Sequence, residues 1–238
     1  MSKPIISIIA PSIRPELWME FYAHLLEDNS IPFEIVFVGN VKPKFILPVN
    51  FHFIYSETTP VQCFETACRN SKGEYILTTA DDLYNPPGIL NALYGYAIRM
   101  HNDKAVIIAR FADKIDSGPM DNLLCFQPDL DCPVIGAPVL IKKSVWEELG
   151  GLDKQFNFIF STDDLQLRIY EAGGHPFILP QERFTIKEKP HLYPRLMDNF
   201  TADRITLNSF WIKSTGEFSK KRLKDAIFFT EKDIVINL

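Results

Sequence analysis

Two pairs of adjacent aspartates, Asp81–Asp82 and Asp163–Asp164, are where this chain has an evident capacity for chemistry. The first pair sits in "GEYILTTADDLYNPPG", residues 73–88, directly after a short apolar run and before Pro86 and Pro87. Two like charges at the end of a buried strand are unfavourable unless water or a cation compensates them. A divalent ion such as Mg²⁺ or Mn²⁺ would do so, because it takes oxygen ligands, needs few protein carboxylates and completes its shell with water or substrate phosphate. The plainer alternative is a solvated turn, with Asp82 capping the bend before Pro86. The second pair opens "STDDLQLRIYEAGG", residues 161–174, which reads as a helix capped by Ser161, Thr162 or Asp163 and stopped by Gly173 and Gly174. A carboxylate at a helix start is expected to stay ionised, since the N-terminal dipole lowers its pKa.

The rest of the composition narrows the setting. The chain has 238 residues, of which 46% are hydrophobic, enough for one large core with a helical tail. A formal net charge of −5 supplies no basic field for nucleic acid, so nucleic acid is not an expected partner. The opening "MSKPIISIIAPS" is broken by Pro4 and Pro11 and is far short of the roughly 18 apolar residues of a membrane span, so neither a signal peptide nor an anchor is expected. Cys63, Cys68, Cys125 and Cys132 have spacings that suit no zinc knuckle. They read as reduced, mostly buried thiols of a cytoplasmic protein. The five histidines form no HExxH or HxH pairing.

Alternating apolar runs and amphipathic stretches supply the frame. "PIISIIAPS", "FEIVFVGN", "FHFIYS", "EYILTT" and "AVIIARF" read as strands, the first two apolar enough to be buried on both faces. Between them, "RPELWMEFYAHLLEDN", residues 60–71 and "GILNALYGYAIRMH" read as helices, the first with Leu17, Phe21 and Leu25 at helical spacing. That alternation over about 110 residues predicts an open α/β sheet whose ligands bind beyond the carboxyl ends of its strands. Asp81 and Asp82 fall at such an end. Residues 112–133 lack periodicity and read as a loop able to reach over the site. "GAPVLIKKSVWEELGG" then gives a strand and a short helix, and the tail from about Arg195 reads as helical, with "FSKKRLKDAIFF" its most amphipathic piece. That basic stretch either packs on its own domain or rests on an anionic membrane.

Taken in order, "PIISIIAPSIRPEL", "FEIVFVGN", "ETACRNSKGEYILTTADD", "GAPVLIKKSVWEELGGLDKQF" and "STDDLQLRIYEAGG" make the chain resemble the family 2 glycosyltransferases of the GT-A fold, over about residues 4–185. The resemblance implies an open, mostly parallel sheet with helices on both faces in residues 1–190, with 191–238 as a helical extension on or near the site. It implies transfer of a sugar from a nucleotide-diphosphate-sugar donor to a hydroxyl of a glycan, lipid-linked or protein acceptor. Mn²⁺ or Mg²⁺ would be the cofactor, held by Asp81, Asp82 and a late histidine, His191. Inversion is the expected stereochemistry, with Asp163 or Asp164 as general base. Retaining transfer on the same fold, and a catalytically inactive scaffold, remain alternatives.

The resemblance also distributes donor-binding roles. Pro11, Ser12 and Arg14 occupy the first crevice loop, where hydroxyl and backbone groups would meet base or ribose. Asn40 stands where the family carries acids after its second strand, and it can donate as well as accept. Arg69 matches an arginine near the nucleotide, or else is a cation favoured by a helix C-terminus. Arg195 would screen the diphosphate. Trp146 and Trp211 are core residues or sugar-stacking platforms. Two departures stand out: Thr79 replaces the first acid of the metal motif, and strict register on Arg168 puts Ser161 and Thr162 under the family's usual Glu and Asp.

Overall fold

The computed structural model describes residues 3–112, 134–186, 194–212 and 225–234. Four apolar runs form the first half of one sheet: β1 (Ile6–Pro11), β2 (Phe33–Gly39), β3 (Phe51–Tyr55) and β4 (Tyr75–Thr78). They lie in the order β3-β2-β1-β4, all parallel, with Ile8 opposite Ile35 on one side and Leu77 on the other. Helix α1 (Pro15–Leu26) begins on a proline that has no donor to lose. Helix α2 (Pro60–Asn70) begins the same way and is capped by the Thr59 hydroxyl, which accepts the Gln62 N–H at 3.3 Å.

The sheet continues through β5 (Leu83–Tyr84), α3 (Ile89–Arg99), β6 (Ala105–Ala112), β7 (Val139–Lys142), α4 (Lys143–Glu148), α5 (Ser161–Glu171), β8 (His175–Ile186) and α6 (Pro194–Trp211). Its full order is β3-β2-β1-β4-β7-β6-β8-β5. It is mostly parallel, as expected, but β7 runs antiparallel to both β4 and β6, and β5 antiparallel to β8. Alternate residues of each strand feed two cores. Trp18, Phe21 and Leu25 of α1 and Leu90 and Leu93 of α3 bury one face; Val61 and Ala67 of α2, Trp146 of α4, Leu165 of α5 and Trp211 of α6 bury the other.

The tail departs from its expected helicity. α6 is helical, but residues 225–234, the last described, are turns and irregular backbone with one bridge. This segment runs over the second core, with the bridge between Asp153 and Phe228 and the Lys154 N–H on the Ile227 carbonyl at 2.8 Å. The expected loop at 113–133, Cys125, Cys132 and most of the basic amphipathic stretch lie outside the described residues. Cys63 and Cys68 are buried free thiols. Among the described residues no helix is long and apolar enough to cross a membrane.

Candidate active site

The carboxyl ends of β1, β2 and β4 converge on one loop. The ladder runs on past the strands through Ser12 N–H to Val38 O (2.9 Å) and Thr79 N–H to Ile9 O (3.0 Å). Asp81, 2% exposed, is seated in the turn that follows β1. Its Oδ2 accepts the Ser12 hydroxyl (3.0 Å) and the backbone N–H groups of Ile13 and Arg14 (2.8 Å each), and its Oδ1 accepts Arg14 Nη1 at 2.6 Å. The same Nη1 lies 3.2 Å from Asp82 Oδ2. The fold therefore brings Ser12, Arg14, Asp81 and Asp82 together, and the repulsion between the two acids is answered by a guanidinium, a hydroxyl and two backbone donors.

This geometry divides the two acids. A carboxylate offers about four lone-pair sites, and Asp81 uses most of them on the first loop, with three donors on Oδ2 and one on Oδ1. Asp81 thus shapes the crevice, while Asp82, beside the same guanidinium and partly exposed, has the oxygen chemistry to reach a cation. Among the described residues no group of three or more His, Cys, Asp or Glu side chains is arranged to hold a metal ion. His191 and the Arg195 side chain lie outside the described residues.

The loop leaves no slack beside β2. A Cβ on Gly39 would stand 1.8 Å from the Ser12 carbonyl oxygen, so only glycine lets β2 pass this close. Gly39→Ala is expected to displace residues 12–14 and lower the unfolding free energy by about 1–3 kcal/mol, read by urea denaturation. An unchanged midpoint would show that the turn yields freely. Asn40, the next residue, is exposed at the crevice rim.

Arg69 is placed elsewhere. Its Nε binds Glu65 of the same helix at 2.9 Å, while its Nη2 donates to the Phe229 carbonyl at 2.5 Å and its Nη1 to Glu231 at 3.1 Å, so two of its three nitrogens tie α2 to residues 229–231. Trp146 and Trp211 are buried, and their indole N–H groups donate to Glu65 and Asp164. They are core residues with assigned partners.

The start of α5 reaches the same end of the sheet. Gln166 clamps Gly136 from both sides, accepting its N–H at 3.1 Å and donating to its carbonyl at 2.9 Å. Gly136 leads into β7, whose first residue, Val139, lies opposite Thr78 at the end of β4. Within α5 the two acids part company. Asp164, 0% exposed, binds Arg168 Nε at 2.9 Å and Trp211 Nε1 at 2.9 Å, so it is committed to structure. Asp163 is also buried, yet among the described residues no side chain hydrogen-bonds it. Burial, with a smaller push from the Asp164 charge, raises its pKa to about 6 against the pull of its own backbone N–H. Desolvation has overcome the helix-start effect that the sequence suggested.

Three further polar groups stand at this end of the sheet, and two of them, Arg110 and Thr185, have no place in the sequence reading. Thr79 Oγ1, Arg110 Nε and Thr185 Oγ1 are buried with no hydrogen-bond partner among the described residues, and they sit toward the carboxyl ends of β4, β6 and β8. The signal was present in "AVIIARF", where an arginine interrupts an apolar strand. A hollow of about 790 Å³ lies at the opposite end of the sheet, lined by Lys3, Phe33, Glu34, Val49, His52 and Lys72. Its residues precede or begin strands, so it is remote from the acids and from the end where open α/β sheets bind ligands.

Solved structures with this architecture exist. A crystal structure of S. aureus TarS residues 1–349 in complex with UDP-GlcNAc superposes with a TM-score of 0.63 at 16% sequence identity, over 84% of this chain and 64% of that one. TarS 1–349 in complex with UDP gives 0.56 at 14%, over 83% and 64%. The longer TarS structure gives 0.63 at 13%, over 88% of this chain and 40% of that one. The chain thus spans less than two thirds of the length of these structures. No protein-family model matches the sequence, and no curated protein matches it. Identity this low speaks to fold alone: the chain has the GT-A fold of TarS.

Proposed function

We propose that this chain is a glycosyltransferase that moves a sugar from a nucleotide-diphosphate donor to an acceptor hydroxyl with inversion, residues 1–190 forming the transferase domain and 191–238 an extension packed on it. The observation that carries the reading is Asp163, a buried carboxylate without a side-chain partner among the described residues, at the ligand-binding end of the sheet. A pKa of about 6 leaves it ionised at neutral pH yet basic enough to take a proton. Its fold partners supply the donor class, since TarS was solved with UDP-GlcNAc and with UDP.

In this reading Pro11, Ser12, the Arg14 backbone and Asn40 line the nucleoside end, on a loop that Asp81 holds rigid. Arg110, its Nε buried and unbonded among the described residues, offers charge to the diphosphate. Asp82 would hold Mn²⁺ or Mg²⁺ together with donor phosphates, the ion acting as Lewis acid on the leaving diphosphate. Asp163 takes the acceptor hydroxyl proton as that oxygen bonds to the anomeric carbon; the bond from that carbon to the diphosphate oxygen breaks, and the nucleotide diphosphate leaves on the opposite face.

Purified protein is incubated with a panel of nucleotide sugars, with Mn²⁺ and then with excess chelator. Consumption of one donor, lost on chelation and restored by metal, supports the reading, and NMR of the product bond reports inversion. Asp81→Ala should weaken donor binding at least about tenfold, because loop 12–14 loses charge-assisted hydrogen bonds worth roughly 1.5–3 kcal/mol each. Unchanged donor affinity in that variant would separate Asp81 from the site. A non-catalytic binding module is the second reading, favoured by Thr79 in place of an acid. It predicts a thermal shift with nucleotide diphosphate but no donor turnover.

A further inference from the structure

One face of α6 packs against the segment that presents Asp163. Phe200, Asp203, Leu207 and Trp211 recur at spacings of three and four, so they share one side of the helix. The Phe200 ring meets that of Phe160 at 5.2 Å, Leu207 joins the core that contains Leu165, and the Trp211 indole donates to Asp164. Between them lies Asp203, 1% exposed. Its carboxylate accepts the backbone N–H groups of Asn157 (3.2 Å to each oxygen), Phe158 (2.7 Å) and Ile159 (2.9 Å).

Three consecutive N–H groups converging on one anion form a nest. Here the anion belongs to the protein itself. The next residue, Phe160, has a φ of +63°, a left-handed conformation that a bulky side chain adopts only when its surroundings impose it. Its carbonyl then accepts the Asp164 N–H at 2.8 Å and starts α5. Asp203 therefore fixes 157–159, that turn and the Phe200 ring fix Phe160, and Phe160 sets the first turn of the helix.

We propose that Asp203 is a positioning residue for Asp163: by filling the nest at Asn157–Ile159 it fixes the direction in which the acceptor-activating carboxylate is presented. The inference rests on the reading of Asp163 as general base. It also gives α6 a function, since a helix about 40 residues downstream in sequence completes the geometry of the site.

The test is Asp203→Asn in the full chain, which keeps the shape but removes the anion. Its kcat with the donor found by the panel should fall between about tenfold and a hundredfold, as misplaced catalytic groups do, with donor KM unchanged. Carboxyl ¹³C NMR gives a readout that needs no donor. In the parent chain Asp163 should titrate near 6, and in Asp203→Asn that midpoint should drop as the loosened turn admits water. Asp203→Glu, which restores the anion, should recover part of both. A lowered melting temperature with the Asp163 midpoint and kcat unmoved would reduce Asp203 to a structural role and overturn the proposal. Should Asp203→Asn not fold, amide exchange in the parent chain decides: protection of Asn157, Phe158 and Ile159 comparable to α5 supports the nest, and loop-like exchange removes it. If the parent chain consumes no donor, the transferase reading fails, while the Asp163 titration still judges the positioning.

Discussion

Asp163→Asn should give a chain that is more stable than the parent and nearly inert. The ionised Asp163 carboxylate is buried, and burial holds its pKa near 6, above the usual carboxylate range. At 1.36 kcal/mol for each pKa unit, carrying that charge costs the fold about 3 kcal/mol. The sign follows from linkage. Below the unfolded pKa the residue is protonated in both states and contributes nothing. Between that value and about 6 the folded chain holds the extra proton, so stability falls as pH rises, and above about 6 the full cost is present. The variant and the parent should thus unfold at the same urea concentration near pH 4 and diverge up to pH 7, with the variant ahead by up to about 3 kcal/mol. Over the same change, turnover should drop between about 10² and 10⁴, the usual contribution of a general base. The parent's kcat should itself fall as pH drops through about 6. Wild-type turnover in Asp163→Asn would remove the base role, and a stability gap that persists at pH 4 would mean that packing rather than charge had changed.

The strands were readable because each is a continuous apolar run, and β1, β2 and β4 keep that character by being buried on both faces. Direction of pairing is not written in such runs. β7 is as apolar as its neighbours, and only the three-dimensional path of the chain turns it antiparallel between β4 and β6. β5, two residues long, falls below any periodic signal.

The site was legible in its residue types and much less so in its partnerships. Asp81 and Asp82 announced a compensating charge, but the donors that compensate them come from residues 67–69 positions earlier in the chain. Arg69 had a nearer clue, Glu65 one helical turn away, the i,i+4 spacing of a pair on one helix face. The same spacing joins Asp164 to Arg168 and leaves Asp163 as the acid with no side-chain partner among the described residues. What could not be read was burial. "STDDLQLR" is polar enough for an exposed helix, yet residues 161–169 are all buried, since α2, α4 and α6 contribute to the core around it. Its polar groups are matched by Gly136, Leu149, Gly151 and Trp211, none of them close in sequence.

Arg168 is the residue whose loss should harm the fold most. It is fully buried, with Nε on Asp164 at 2.9 Å, Nη1 on the Leu149 carbonyl at 2.8 Å and Nη2 on the Gly151 carbonyl at 2.7 Å, and its guanidinium lies 5.4 Å from the centre of the Phe228 ring. The two carbonyls close the turn after α4. There Gly150 and Gly151 take φ of +81°, and a Cβ on Gly151 would meet Glu65 at 2.6 Å. One side chain thus joins α5, the turn after α4 and the Phe228 segment. Arg168→Met removes the cation and leaves the Asp164 charge buried, which should cost about 3–5 kcal/mol in urea unfolding, a large share of a stability of about 5–15 kcal/mol. Lysine should not substitute, because a single ammonium cannot serve a carboxylate and two diverging carbonyls as the planar fork does. The pair Arg168→Met with Asp164→Leu should regain at least about half of the loss, since replacing both members of a buried ion pair by apolar groups is often close to neutral. A single variant within about 1 kcal/mol of the parent would mean that the pair contributes no more than one at the surface, and that α5 is held by its apolar contacts alone.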